Sequence, residues 1–341
     1  MLKIAFFDHG SKELGSTRIW VYNLIDWFTK IGIKCQLNNY ENLDRNDVII
    51  IGKNFNDNEL YKIKLKHRQI IGIINPSDKN KKSKKYLDIT DFTIVGSFEE
   101  KLYYDNFKKN NFVFPLIEKY NAFKQHKDNK IIVFGYHGNK QHLEEFFPHL
   151  TRALEIFARE RDIKLKVIYN IKNLGAWVKG KPKIDIEFVQ FQLDTFQDEL
   201  LECDIGLVPG LVHVNLNMKK IFFYLSKIFN FSYTGNSNDY LIRFKNTTNA
   251  GRAFVFHQLG IPVVSDLIPS NFHILANPDC GYLAHNTESW IYAFRELSSS
   301  AKYRQEIAIN AKNEFNRLYN PIFWAKKLYN NIENLYKKIN F

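Results

Sequence analysis

Short, uninterrupted apolar runs recur along the first third of the chain, and connections of helix length separate most of them. The runs are "KIAFFDHG" (3–10), "DVIIIGK" (47–53), "QIIGIINP" (69–76), "DFTIVGS" (91–97) and "NFVFPLIE" (111–118). Runs without polar alternation are typical of strands that are buried on both faces, as in parallel sheets covered by helices. The segment 15–32 predicts an amphipathic helix that Ser16 or Thr17 caps and Gly32 ends.

The same pattern restarts after a polar, lysine-rich stretch at 119–130. The second set of runs is "IIVFGYHG" (131–138), "KLKVIYN" (164–170), "IDIEFVQF" (184–191) and "DIGLVPG" (204–210). The sequence therefore predicts an α/β protein with two Rossmann-like parallel-sheet domains, at residues 1–120 and 128–318. Open parallel sheets bind ligands beyond the carboxyl ends of their strands, so we expect the ligand in the cleft between the two domains.

The formal net charge of +12 fits nucleic acid, an anionic membrane or a phosphorylated small molecule as partner, or simply a solvated surface. The densest basic run (78–86) has no aromatic residue before Tyr86 and no accompanying nucleic-acid motif, so we expect no nucleic-acid partner. The segment 212–240 contains an apolar, lysine-bearing helix pattern that fits either the core or a membrane interface.

Cysteine content and hydropathy indicate the compartment. The three cysteines are isolated, so neither a disulfide framework nor a zinc site is expected. The start of the chain does not have the pattern of a secretory signal, and no apolar stretch approaches the roughly 20 residues of a membrane span. These features predict a cytoplasmic protein.

The stretch "KNTTNAGRAFVFHQLGIPVVSD" (245–266) is polar at its start, then helical, and then a buried strand. Gly260 and Pro262 end the helix, and Thr248 or Asn249 can cap it. A helix start carries unpaired N–H groups and about half a positive charge, which suits an anion such as a diphosphate. The candidate diphosphate-binding residues are Lys245, Thr247, Thr248, Asn249, Gly251 and Arg252. The alternative is a capped helix with two solvated cations.

Two segments of the second domain resemble glycosyltransferases of the GT-B fold, particularly the large family 4 type. "LLECDIGLVPG" (200–210) is similar to the family's apolar run, Asp and strand ending near Pro. "GIPVVSD" (260–266) is similar to its G-x-P-V-V motif. The chain departs from the family at Thr247 and Val255, which stand where two glutamates are usual.

The resemblance extends to three other parts of the chain. Residues 6–37 are similar to the family's glycine-rich first loop and following helix, and "GYHGN" (135–139) stands at the glycine turn that opens its second domain. The final segment resembles the family's closing helix, which implies that residues 319–341 cross back to the first domain.

The resemblance implies a glycosyltransferase that moves a sugar from a nucleotide-diphosphate sugar to a glycan or lipid-linked saccharide acceptor. It implies a role in bacterial-type surface polysaccharide synthesis, with the inner face of the cell membrane as a further partner. The nucleotide sugar is a co-substrate, and neither a cofactor nor a metal ion is expected. Further candidates are Gly15, Ser16 and Arg18 in the acceptor-side loop, His137 and Gly138 at the donor sugar or phosphate, and Phe191 and Gln192 at the nucleoside.

Breaking the bond between a sugar and a nucleotide diphosphate increases the negative charge of the leaving group, which Lys245, Arg252 and the helix start can stabilise. If the anomeric configuration is retained, the donor phosphate itself can take the acceptor's proton. If it is inverted, the first domain must supply a base, and Asp8 and His9 are the candidates.

Two other classes of protein are also consistent with this sequence. A sugar-nucleotide epimerase can share this architecture, and a non-enzymatic basic protein can bind a membrane or nucleic acid. A dehydrogenase is disfavoured because no G-x-G-x-x-G follows the first strand.

Overall fold

A computed structural model describes most of the chain, with gaps. The described residues are 1–41, 43–56, 69–76, 86–212, 225, 228–229, 245 and 249–341. Thr247, Thr248, almost all of the basic run at 78–86 and most of 212–240 lie outside the described residues. Within that apolar segment, Ile228 and Phe229 are described and are 71% and 69% exposed, so these two side chains are not core residues.

The first domain contains a six-stranded parallel sheet. Its strands are β1 (Ile4–Phe7), β2 (Cys35–Leu37), β3 (Val48–Ile51), β4 (Ile70–Ile74), β5 (Phe92–Val95) and β6 (Asn111–Val113). The strands lie in the order β2-β1-β3-β4-β5-β6, and every neighbouring pair is parallel. All residues of β1 and β3 are buried, as their continuous apolar runs predict. The strand order reverses between β1 and β3.

The second domain also contains a six-stranded parallel sheet, with a different strand order. Its strands are β7 (Ile132–His137), β8 (Ile163–Tyr169), β9 (Ile186–Gln190), β10 (Ile205–Val208), β11 (Val263–Asp266) and β12 (Tyr282–Ala284). They lie in the parallel order β12-β11-β10-β7-β8-β9, which reverses between β7 and β10. The two sheets confirm the predicted fold class of two Rossmann-like α/β domains.

Helices flank both sheets. The first helix, α1, has three consecutive segments: Gly15–Thr17, a π-helical turn at Arg18–Asn23, and Leu24–Lys30. The later helices are α2 (Phe98–Tyr104), α3 (His149–Phe157), α4 (Ile171–Leu174), α5 (Phe196–Leu201), α6 (Gly251–Leu259), α7 (Pro269–Leu275), α8 (Thr287–Ser298), α9 (Ala301–Leu318) and α10 (Pro321–Asn340). Short 3₁₀ helices occupy Leu43–Arg45, Lys140–Phe146 and Pro278–Cys280.

The observed helix ends correct two predictions. No side chain caps α1, whose N-cap residue is Leu14, so the predicted cap by Ser16 or Thr17 is wrong. The N-cap residue of α6 is Ala250, which has no side-chain cap, so the predicted N-cap at Thr248 or Asn249 is wrong.

The chain passes between the two domains twice. The connecting segment after β6 lies along α6: the N–H of Tyr120 donates to Gln258 Oε1 at 3.3 Å, and that of Lys124 to the Leu259 carbonyl at 2.8 Å. After α9, helix α10 returns to the first domain and packs against the last segment of α1. There the Leu2 N–H donates to the Tyr329 hydroxyl at 3.0 Å.

Candidate donor and acceptor sites

The order reversal of the second sheet brings together several of the residues predicted to bind the donor. His137 ends β7, and Pro209 follows β10. The Arg252 guanidinium donates to the Pro209 carbonyl at 2.8 Å, and the His137 Nε2–H donates to the Arg252 carbonyl at 3.2 Å. The first turn of α6 therefore lies over the point where open α/β sheets bind their ligands.

The start of α6 faces the first domain. Ala250 is its N-cap residue and has no side-chain cap, whereas Asn249 Oδ1 accepts the Gly251 N–H at 3.2 Å. Gly251 is partly exposed, and a Cβ atom there would lie 3.5 Å from Leu116 of the segment that follows β6. The turn therefore lies against the connecting segment between the domains, with Gly251 and Arg252 partly exposed.

The absence of a side chain at Gly138 leaves room for the Arg252 side chain beside β7. Its φ of +141° is in the region that favours glycine, and a Cβ atom there would lie 3.2 Å from Arg252 Cδ. The guanidinium carbon lies 5.7 Å from the centre of the Tyr136 ring. Arg252 Nη1 is buried without a hydrogen-bond partner among the described residues. This nitrogen therefore keeps a donor available.

Both predicted cations contact a carboxylate that sequence analysis missed. Glu145, in the 3₁₀ helix after β7, binds Lys245 Nζ through Oε1, and its Oε2 lies 3.6 Å from Arg252 Nη2. His142 Nδ1 lies 2.8 Å from the same Oε1, and the Glu145 side chain is only 8% exposed. The cations are thus paired rather than solvated. Lys245 and Glu145 are 100 residues apart, so no sequence spacing predicts the contact.

Burial sets the protonation of the other groups near α6. It lowers the pKa of His137 to about 4 and that of His257, inside the helix, to about 3, so both rings are neutral near pH 7. Burial raises the pKa of Asp266 to about 7, although this carboxyl accepts N–H groups of Gly210 at 2.8 Å and Leu211 at 3.0 Å. Asp266 therefore fixes the loop after β10.

A second carboxyl missed by sequence analysis reaches the α6 turn from the first domain. Glu100 of α2 is buried, accepts the Gly96 N–H at 2.5 Å, and forms a hydrogen bond with the Asn249 side chain. Burial raises its pKa to about 7. Glu100 and Asn249 thus link the two domains beside the first turn of α6.

Asp8 lies at the order reversal of the first sheet. It is 2% exposed, and its oxygens accept the N–H groups of Gly10 at 2.7 Å and Asn54 at 3.1 Å. A Cβ atom at Gly52 would lie 2.1 Å from Asp8 Oδ2, so the surrounding backbone is closely fitted to this carboxylate. His9 is exposed, with Nε2 3.3 Å from the Tyr40 hydroxyl. Their catalytic roles remain predictions.

The acceptor-side loop is tied to the connection between the domains. Gly15 and Ser16 begin α1 and are partly exposed. Arg18 Nε donates to Glu118 Oε1 at 2.5 Å and its Nη2 to Oε2 at 3.2 Å, while the Tyr120 hydroxyl donates to Oε2 at 2.6 Å. Arg18 therefore holds α1 against the connecting segment.

The predicted nucleoside residues follow β9. The Phe191 ring packs 5.2 Å from that of Phe196, and Gln192 is exposed. Beside them, between α1 and the start of α5, is a cavity of about 500 Å³. Its lining includes Arg18, Trp27, Glu118, Tyr120, Asp194 and Phe196. The cavity has aromatic, cationic and anionic walls and is large enough for a nucleoside.

Two features are absent from the described part of the chain. It contains no group of three or more His, Cys, Asp or Glu side chains placed to hold a metal ion. None of the helices described has the length and hydropathy needed to span a membrane.

Comparisons with solved structures identify the fold. The sucrose-phosphate synthase of Thermosynechococcus elongatus aligns over 99% of this chain and 100% of its own, with a TM-score of 0.63 and 11% identity. An α-glucosyltransferase in complex with UDP and DNA aligns over 97% and 99%, with a TM-score of 0.62 and 10% identity. The galactosyltransferase WaaB of the lipopolysaccharide outer core aligns over 98% and 99%, with a TM-score of 0.56 and 13% identity.

Sequence comparisons add no relative: no protein-family model and no curated protein matches the chain. At 10–13% identity, the likeness to these solved structures concerns the fold. They have the GT-B fold, and the two six-stranded sheets of this chain match it.

Proposed function

We propose that this chain, which has the GT-B fold, is a glycosyltransferase that uses a nucleotide-diphosphate sugar as donor. The observation that carries the proposal is the first turn of α6, which lies at the strand-order reversal beside Arg252 and Lys245 and near Leu116 of the connecting segment. Further support comes from structural neighbours that were solved with UDP, among them the α-glucosyltransferase and Anabaena HepE with UDP and glucose.

The proposed chemistry follows from charge. As the bond between the sugar carbon and the β-phosphate oxygen breaks, its electron pair moves to the diphosphate. The α6 N–H groups, Arg252 and Lys245 stabilise the charge that develops there. This arrangement can neutralise the leaving group without a metal ion. Gly138 and His137 contact the donor at this end, and Phe191 and Gln192 hold the nucleoside.

The acceptor enters from the first domain in this proposal. Gly15, Ser16 and Arg18 shape its loop, and the acceptor hydroxyl attacks the sugar carbon. Its proton goes to the donor phosphate in a retaining reaction, or to His9 or Asp8 in an inverting one. The burial and hydrogen bonds of Asp8 favour a positioning role for this residue, which leaves exposed His9 as the stronger candidate base.

The proposal also includes the acceptor and the place of the enzyme in the cell. The resemblance to family 4 enzymes and the basic charge support a cytoplasmic enzyme that acts on a glycan or lipid-linked acceptor at the inner membrane face during surface polysaccharide synthesis. Incubation with donor and acceptor separates this role from epimerisation, because a transferase forms a glycoside and an epimerase releases only a changed sugar nucleotide.

Thermal unfolding with UDP, GDP, ADP and their sugar derivatives tests the donor site. A nucleotide present at 100 times its Kd should stabilise the wild type by about 2.7 kcal/mol. Lys245→Ala and Arg252→Ala should each remove most of this stabilisation. Lys179→Ala is the matched control, because Lys179 pairs with exposed Glu144 at 3.1 Å in the same domain. The proposal fails if no nucleotide stabilises the wild type, or if all three variants respond alike.

A further inference from the structure

Glu145 is more buried than either of the two cations that it contacts. It lies in the short 3₁₀ helix that follows β7, and its 8% exposed side chain contacts both cations predicted to bind diphosphate. The Lys245 and Arg252 side chains, by contrast, are 39% and 18% exposed. The carboxylate is therefore less accessible to a ligand than either cation.

The carboxylate of Glu145 reduces the net positive charge that this cluster offers to an anion. Lys245 and Arg252 contribute two positive charges and Glu145 one negative charge, while burial lowers the pKa of His142 and keeps its ring neutral. With the carboxylate in place, the described residues of this cluster together carry a net charge of about +1. A diphosphate that binds here competes with Glu145 for the same N–H donors.

We propose that Glu145 is an internal counter-anion that occupies the diphosphate-binding cations in the unliganded protein and weakens their hold on the released nucleoside diphosphate. This inference rests on the proposed function. A second observation supports it: Arg252 keeps one buried nitrogen, Nη1, without a hydrogen-bond partner among the described residues, so the guanidinium can bind a phosphate oxygen while it remains near Glu145.

The change in phosphate charge during the reaction explains how this carboxylate could assist turnover. The sugar carbon loses its bond to the β-phosphate oxygen, which keeps the electron pair, and gains a bond to the acceptor oxygen. The acceptor's proton goes to the donor phosphate in a retaining reaction or to the base in an inverting one. The nucleoside diphosphate product therefore carries one more ionisable oxygen than the donor did. Two unopposed cations would bind the product more tightly than the donor. Glu145 reduces that difference and takes back Lys245 when the product leaves.

Isothermal titration with UDP and UDP-glucose tests the inference. In Glu145→Gln, the affinity for UDP should rise about tenfold, which corresponds to about 1.4 kcal/mol. The affinity for UDP-glucose should rise less, because its diphosphate carries less charge. Glu144→Gln is the matched control: Glu144 is the preceding residue, and its side chain is 56% exposed and pairs with Lys179. This control should bind both ligands as the wild type does.

The outcomes separate the two proposals. If the wild type binds UDP and Glu145→Gln binds it equally or more weakly, the counter-anion role is wrong and the donor site stands. If UDP, GDP and ADP bind neither protein, the proposed function is wrong as well. Should Glu145→Gln not fold, Glu145→Asp keeps the charge but shortens its reach to Lys245, and a smaller selective gain for UDP is expected. No gain in this variant would overturn the inference.

Discussion

Gly138 lies where the backbone of β7 and the side chain of Arg252 come closest. Alanine there would have a strained φ of +141° and a methyl group 3.2 Å from Arg252 Cδ. We expect Gly138→Ala to cost about 1–2 kcal/mol of stability and to weaken UDP binding at least about tenfold, because Arg252 must move. Gly175→Ala is the control for strain alone, because its φ is +72° and a Cβ atom there would lie no closer than 3.8 Å to another side chain, that of Lys140. Titration calorimetry giving equal UDP affinities for both variants would refute this role.

For single residues, the sequence predicts local backbone features better than contacts between side chains that are far apart in the chain. Gly260 was predicted as the end of α6 because a left-handed residue is a property of its own turn, and its φ is +72°. Glu145 and Glu100 escaped prediction because their partners, Lys245 and Asn249, are 100 or more residues away. An isolated acidic residue in the sequence carries no sign of such a partner.

The end of α6 offers a test of how an element is held in place. A Cβ atom at Gly260 would lie 2.5 Å from the Phe123 ring, whereas at Gly32, which follows α1 with φ +86°, it would meet nothing within 4 Å. Gly32→Ala should therefore cost only the backbone strain of about 1 kcal/mol. Gly260→Ala should cost at least about 2 kcal/mol more, because Phe123 must move. Urea unfolding measures both, and equal losses would show that Phe123 moves aside freely.

Elements with a strong pattern were predicted, and elements with a weak one were not. The buried strands of both sheets are continuous apolar runs, so β1, β3 and β10 were predicted within a few residues. Strand β12 has three residues and α7 has seven, too few for a periodicity to develop. Their places follow from packing against β11 and α9 rather than from their own composition.

Glu100 makes the stability of the whole molecule depend on pH. Its folded pKa of about 7 is above the ordinary 4.5, so the folded protein keeps a proton that the unfolded chain has lost. Stability should therefore fall as pH rises from about 4.5 to about 7, at up to about 1.4 kcal/mol per pH unit from this group.

Glu100→Gln has no proton to lose, so its stability relative to the wild type should increase by about 2 kcal/mol between pH 5 and pH 7. Urea unfolding at both values measures the change. Asp266, whose pKa is also raised to about 7, titrates in both proteins and cancels from the comparison. Glu144→Gln is the exposed control and should follow the wild type. A parallel pH dependence of Glu100→Gln and the wild type would show that Glu100 does not titrate in this range.

The two-domain plan was visible in the sequence because the strand pattern stops at 119–130 and starts again. The contacts between the domains were not. Glu100 of the first domain contacts Asn249 of the second, and the two residues are far apart in the sequence. Such contacts depend on the orientation of two bodies, which no local pattern encodes.

Both passages of the chain between the domains lie against the first turn of α6. Leu116, on the outgoing passage, would be 3.5 Å from a Cβ atom at Gly251, and Tyr319, on the return, packs its ring 4.3 Å from that of Phe254. When one domain rotates about the connections to the other, atoms near the connections move less than distant atoms. Any swing of one domain against the other therefore leaves the α6 turn almost at rest and displaces distant loops, such as that of His9, the most.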